Sequence, residues 1–208
     1  MSHFVMGCIV PKNKINEITS FIDENMKQFS EELEVEPYIY KTKYELLEEF
    51  GEWKLKNSDS EENKRMTFEE WTIYWFGRPL NEDGSISSTY NQNSKWDWYR
   101  IGGRWDGYLT KIAAESEDGG FNFDDKHETI DKNMITVEKH IENVKEDFIN
   151  HACFGLLTKE GEWLERGDMG WWGTVKDEKT TTDWQEEYIK VLQNQLKDDY
   201  IVAVDCHI

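Results

Sequence analysis

Cysteine is scarce and builds no framework. The 208 residues hold three, Cys8, Cys153 and Cys206, with no C-x-x-C spacing. Three cannot all pair, so they read as reduced thiols of a cytosolic protein rather than a disulfide scaffold. Long apolar runs are missing too: none approaches the roughly 18–20 residues that a membrane-spanning helix needs. The N-terminal MSHFVMGCIVPKNK lacks the basic segment and small-residue cleavage site of a signal peptide. No P-loop, H-E-x-x-H, G-x-S-x-G or EF-hand pattern occurs, and Gly102-Gly103 does not open a G-x-G-x-x-G. A cytoplasmic chain is expected, with no membrane partner, no cofactor and no metal.

Positive charge is the other shortage. Lys and Arg number 24 against 43 Asp and Glu, a net charge of −19. Proteins that grip nucleic acid regardless of sequence display basic patches, so direct nucleic-acid binding is not expected. A small basic pocket within an acidic surface stays open. So does the choice between a merely solvated surface and one that imitates nucleic acid.

Aromatic carbon is plentiful: ten Trp, nine Tyr and ten Phe, enough for a sizeable core. Periodicity gives a coarse map. Residues 3–10 read as a buried strand closed by Pro11. Asn13 is the candidate cap of a helix over 14–31, with Ile15, Ile18, Ile22 and Phe29 at helical spacings. A weak strand over 38–43 and a helix over 44–56 follow, then a polar loop over 57–65. Thr67 and Glu70 form a T-x-x-E capping box for a short helix through Trp71, Tyr74 and Trp75. Residues 77–95 are a long Gly/Asn/Ser-rich loop. Met134, Val137, Ile141, Val144 and Phe148 predict an amphipathic helix over 132–149. Residues 152–157 read as a strand that turns into a second one. Thr182 with Gln185 resembles the cap of a last helix over 183–197. YIVAVDCHI is a terminal strand. The expected fold class is α+β: a mainly antiparallel sheet containing both terminal strands, helices packed on one face, and the long loop ahead of the Trp-rich motif. One domain over 1–208 is expected, with 57–95 as an insertion or mobile loop.

Four segments carry candidate chemistry. In KWDWYRIGGRW (95–105), an extended 96–101 would put Trp96, Trp98 and Arg100 on one face and Asp97, Tyr99 and Ile101 on the other. Gly102 and Gly103 would permit a bulge, a tight turn or a ligand's close approach; Arg104 and Trp105 follow directly. Stacked indoles beside a guanidinium can hold a nucleobase and a phosphate. The same residues also suit a Trp-rich core corner in which Asp97 pairs with Arg100 or Arg104. In GDMGWWG (167–173), glycines set Trp171 and Trp172 on a loop that either presents rings to a ligand or covers the core. In the terminal strand, Asp205 and His207 share one face, while Val202, Val204, Cys206 and Ile208 share the apolar one. An Asp beside a His can orient an imidazole for acid–base work, or it is simply a surface pair. His3, Cys8, Cys206 and His207 would converge if the terminal strands pair. Alternation sets Cys206 and His207 on opposite faces, against a single metal ion. His151 and Cys153 form a further i, i+2 pair on one strand face, with an inert buried thiol as the plainer reading.

The string N-x-x-S-K-W-D-W-Y-x-I-G-G-R-W (Asn91 to Trp105), the later G-E-W followed by M-G-W-W-G, and the terminal V-D-C-H-I resemble a family of uncharacterised proteins of bacteria and their phages. The likeness covers most of 67–208. It carries no activity and no catalytic assignment. It implies that the three segments act together and that the chain originates in a phage or mobile element, in which case it works in the host cytoplasm.

The leading expectation is a small-ligand binding protein for a nucleotide-like anion, built from Trp96, Asp97, Trp98, Tyr99, Arg100, Gly102, Gly103, Arg104, Trp105, Trp171, Trp172, Asp205 and His207. In a phage such a pocket would sequester a nucleotide signal of bacterial defence. Hydrolysis or group transfer by the same pocket is the enzyme variant and requires a perturbed Asp or His. The competing expectation is an acidic interaction protein. Its carboxylate runs, Glu31–Glu36, Glu45–Glu49 and Asp59–Glu62, would occupy the nucleic-acid channel of a host protein partner. Interleaved lysines weaken that reading.

Overall fold

The computed structural model describes residues 2–110 and 130–208. In chain order the elements are β1 (His3–Val10), α1 (Ile18–Met26), β2 (Tyr38–Lys41), α2 (Lys43–Lys56), α3 (Glu61–Arg65), α4 (Phe68–Phe76), β3 (Ile86–Ser88), β4 (Trp98–Ile101), β5 (Met134–Thr136), α5 (Val137–Glu146), α6 (Phe148–His151), β6 (Gly155–Leu157), β7 (Trp163–Glu165), β8 (Asp168–Met169), β9 (Val175–Lys176), α7 (Thr181–Gln193) and β10 (Tyr200–His207). They pack as two compact units. One joins the chain up to Leu33 with the chain from Gln92 onward; the other is Glu34–Asn91.

The first unit is an α+β sheet structure. Its strand order is β4-β10-β1-β6-β7, and β5 pairs with the other half of β10. The terminal strands β1 and β10 are central and antiparallel over their whole length, from His3 opposite His207 to Val10 opposite Tyr200. β1 and β6 run parallel; the other pairs of this sheet are antiparallel. The central strands are apolar on both faces, as strands covered twice must be. Phe4, Met6, Cys8, Val202, Val204 and Cys206 pack with Ile18, Ile22 and Met26 of α1. Val5, Ile9, Ile201 and Ala203 pack with Val137, Val144, Trp184, Tyr188 and Leu192 of α5 and α7. The expectation of helices on one face is therefore corrected. With both faces of β1 and β10 apolar, α1 covers the second face, which would otherwise lie open to water.

The second unit gathers Leu46, Trp71 and Ile86 at its centre, with Phe50, Trp53 and Phe68 packed around them. Both of its main helices start on capping boxes, Thr42 with Glu45 and Thr67 with Glu70. Helix α4 ends at Gly77, whose φ of 63° is the left-handed stop that favours glycine.

Several local expectations shift. Met134 lies in β5, not in a helix; Thr136 caps α5, and Asp147 then caps the separate α6. The i, i+3 step from 134 to 137 fits a helix, but edge pairing with β10 wins over it. Helix α7 is capped by Thr180, which accepts from Asp183, not by Thr182. The first helix begins as a 3-10 turn over Lys12–Glu17 next to Pro11, without an Asn13 cap. Ser60 starts α3 within the expected loop over 57–65, and β3 lies within 77–95. His151 ends α6 instead of sharing a strand face with Cys153.

One polar node crosses the α5/α7 layer. The buried Tyr188 hydroxyl accepts from the Cys153 N–H at 3.1 Å and lies 2.8 Å from His140 Nε2. Tyr188→Phe strands both partners in the core and should cost about 1–3 kcal/mol, read from the urea midpoint. Burial favours the neutral imidazole and lowers the His140 pKa to about 3. The unfolded chain protonates first, near the usual value of about 6.5. Stability that is complete above that pH is thus lost progressively as pH falls toward about 3. Replacing His140 by Gln should flatten this acid limb of stability against pH.

Candidate functional site

Register brings the sequence motifs together. β4 lies against β10 with Trp98 opposite His207 and Arg100 opposite Asp205. β1 lies on the other side of β10 with His3 opposite His207. Directly paired residues share a face, so Trp98, His207 and His3 form one row across three strands. Arg100 and Asp205 form the next. This is the face that carries the α5/α7 core further along, since Val5 and Ala203 belong to it.

Each imidazole in the row is held by a carboxylate. His3 Nδ1 lies 2.9 Å from Asp205 Oδ1. Asp205 is 1% exposed, and its other oxygen accepts the Arg104 backbone N–H at 3.0 Å. His207 Nδ1 lies 2.5 Å from Asp97 Oδ1, which also accepts the Trp98 N–H at 2.7 Å. An ionised carboxylate only accepts, so both Nδ1 atoms carry hydrogen and both Nε2 atoms face outward from the pairs. Among the described residues neither imidazole makes another hydrogen bond, and neither Nε2 is sealed from solvent. The His3 and His207 rings meet edge to face with centroids 4.8 Å apart. Trp98 stacks flat on His207 at 5.0 Å and is 41% exposed.

The two glycines serve the carboxylate. Gly103 has φ 55°, and a Cβ there would lie 2.6 Å from Asp205 Cβ and Oδ2. Gly102, at φ 75°, is pressed as closely on Asn133. This tight turn brings the Arg104 N–H onto Asp205. The close approach foreseen for a ligand is made by the protein itself.

The Trp loop is fastened beside the row. Ser2 Oγ donates to the Gly170 carbonyl at 2.9 Å and accepts from the Gly173 N–H at 2.5 Å. The 3-10 turn Trp171–Gly173 follows Gly170, and Trp172, at φ 65°, is 82% exposed.

The candidate list is thus divided. Asp97, Trp98, Arg100, Gly102, Gly103, Arg104, Asp205 and His207 come together, with the loop of Trp171 and Trp172 tied in through Ser2. Trp96 and Tyr99 do not. The strand is regular only from Trp98 onward, so Trp96 falls on the α1 face with Tyr99. There its indole donates to the Met26 carbonyl, and the Tyr99 hydroxyl donates to Asp23. Trp105 packs against the α5/α7 core, and its indole nitrogen is buried without a partner. Cys8 and Cys206 belong to the α1 face, opposite His3 and His207. Burial pushes the thiols up, Cys153 to about 12, so they are poor nucleophiles.

Ser2 is absent from the candidates read from the sequence. The expected pairing of the terminal strands places His3 beside His207, as the register shows, but only as a metal-site candidate and not as part of the ligand site. A separate cavity of about 290 Å³ lies in the second unit, lined by Tyr38, Tyr40, Trp75, Phe76, Tyr90 and Arg78 among others. No motif marked it. No family model, curated protein or solved structure matches the chain, so the site is read from its geometry.

Gly103→Ala should lower the melting temperature and free Asp205. It adds a side chain at a left-handed φ, at least about 1 kcal/mol, and drives a Cβ into the carboxylate. Thermal unfolding checks the first effect. The second is checked by the His3 ring resonances in NMR, which should shift as Asp205 is displaced.

Proposed function

We propose that this face binds a small anionic, nucleotide-like ligand. The observation that carries the reading is the row itself: two carboxylate-braced imidazoles with unpartnered Nε2 atoms beside a half-exposed, stacked tryptophan. The neighbouring Arg100 and Arg104 suit an anion, and each outward Nε2 donates to one when its imidazole is protonated. The open part of Trp98 suits a planar base. The set is narrower than the composition suggested, because Trp96, Tyr99 and Trp105 are spent on packing. On the resemblance to bacterial and phage proteins, the corresponding role is sequestration of a nucleotide signal in the host cytoplasm.

The acidic-mimic reading draws less support. Carboxylates of its runs are engaged locally: Glu45 caps a helix, Glu49 pairs with Lys41 and Glu61 with Lys64, as Glu70, Glu17 and Glu52 outside the runs are engaged in the same ways. This is how a solvated helical surface is built.

Thermal unfolding against mono-, di- and cyclic nucleotides tests the proposal. At 100-fold excess over Kd a ligand adds about 2.7 kcal/mol, a rise of about 5–10 °C for a chain of this size. The rise should vanish in Trp98→Ala and shrink in Arg104→Ala. A flat response to every nucleotide sinks the reading.

A further inference from the structure

We infer that the face also turns its ligand over: His3 and His207 act as a general acid–base pair on a phosphodiester that carries a free hydroxyl on the adjacent carbon, as at the 2′ position of RNA. The inference rests on the binding reading above and adds chemistry to it.

Two largely buried imidazoles, with side chains 9% and 6% exposed, are each held at Nδ1 and keep Nε2 open to solvent without a protein partner. Asp205 is itself fixed by the Arg104 N–H, and Asp97 by the Trp98 N–H. These supports satisfy the carboxylates, and they also equip a proton-transfer pair, because each carboxylate sets the tautomer and stabilises the imidazolium while it exists. With ring centroids 4.8 Å apart, one small reacting group can meet both rings.

The site also shows what it lacks. Among the described residues the only hydrogen bonds of either imidazole are to Asp205 and Asp97, so no serine, threonine or cysteine is activated by them. The Ser2 hydroxyl is occupied on both sides by the Trp loop. The nucleophile is therefore water or a group that arrives with the substrate; a ribose 2′-hydroxyl, tethered beside the phosphorus, needs no separate binding site and is the one we assign. The neutral imidazole takes the 2′-hydroxyl proton on Nε2 while that oxygen forms a bond to phosphorus. The P–O5′ bond breaks, and the protonated imidazole gives its Nε2 proton to the departing O5′. The products are a 2′,3′-cyclic phosphate and a 5′-hydroxyl. No electrons change hands and no further reactant is consumed. Arg100 pairs with Asp205 in the strand register. The net charge of −19 limits the substrate to short pieces, since a long polyanion meets the whole acidic surface.

The test uses the full chain with the dinucleotide UpA and with dUpA, which lacks only the 2′-hydroxyl. Both should raise the melting temperature. Only UpA should be cut, to uridine 2′,3′-cyclic phosphate and adenosine, as resolved by liquid chromatography. His3→Asn and His207→Asn should each cut at least about 100-fold more slowly while circular dichroism stays unchanged. A measurement on the unmutated chain guards against misfolded variants. Diethyl pyrocarbonate should modify His3 and His207, mapped by mass spectrometry, and dUpA should slow it. Binding of both dinucleotides with UpA left intact overturns the inference and leaves the binding reading standing. Cleavage that persists in folded histidine variants overturns it as well. Failure of both dinucleotides to bind, with the two histidines unprotected, removes the binding reading for such ligands and the inference with it.

Discussion

Eight residues near each end of the chain pair antiparallel, and that register decides both the core and the site. Because side chains alternate, a slip of β1 by one residue along β10 would send His3 to the α1 face, away from Asp205 and His207. A slip of two residues would keep the faces and move His3 off His207. Gly7 helps to hold the pairing. A Cβ there would lie 2.6 Å from Ile201 Cδ1 and 3.0 Å from Leu156 Cδ2, so bulk from β10 and β6 fills the space that glycine leaves. The same closeness makes β1 a poor place for any larger side chain at that position.

A site at the end of an apolar strand carries an energetic penalty, and the local structure offsets it. Burying the Asp205 carboxylate alone would cost several kcal/mol. Its two oxygens instead receive a backbone N–H and an imidazole, the kind of charge-assisted contact that makes such burial tolerable. The Gly102-Gly103 turn exists in this conformation because the backbone must come within a Cβ's reach of that carboxylate. Asp97 does the equivalent job one strand over by accepting from the residue after it and from His207. The site is thus rigid on three sides: strand register below, glycine turn beside Asp205, and a loop tied down by Ser2.

Much of this was legible in the sequence, for identifiable reasons. The uninterrupted apolar runs HFVMGCIV and YIVAVDCHI read as buried strands, and alternation correctly set Asp205 and His207 opposite Val204 and Cys206. The Thr67–Glu70 box was readable because capping is local, decided by residues three apart. What failed depended on distant partners. Met134 follows helical periodicity, yet strand β10 offers it a ladder. Trp96 and Trp98 were assigned to one face because strand alternation was extended past Asp97, where the chain instead turns to seat the carboxylate. The role of Gly103 was invisible, since its neighbour Asp205 lies 102 positions on in the sequence. Ser2 gave no signal at all: a serine beside a strand has no pattern until a loop from the far end of the chain folds onto it.

The acidity and the proposed anion site are compatible on physical grounds. At physiological ionic strength the Debye length is about 8 Å, so exposed carboxylates farther from the row than that are largely screened. A small anion at the row feels chiefly the imidazoles and the two carboxylates that brace the histidines. Those two carboxylates are engaged at the Nδ1 side, and the outward nitrogens present N–H or lone pair to the ligand. A long polyanion has no such refuge, because each added phosphate lies over another stretch of a surface whose net charge is −19. Under the proposed function, the same charge distribution that argues against a nucleic-acid binder is a length filter on ligands that reach Trp98.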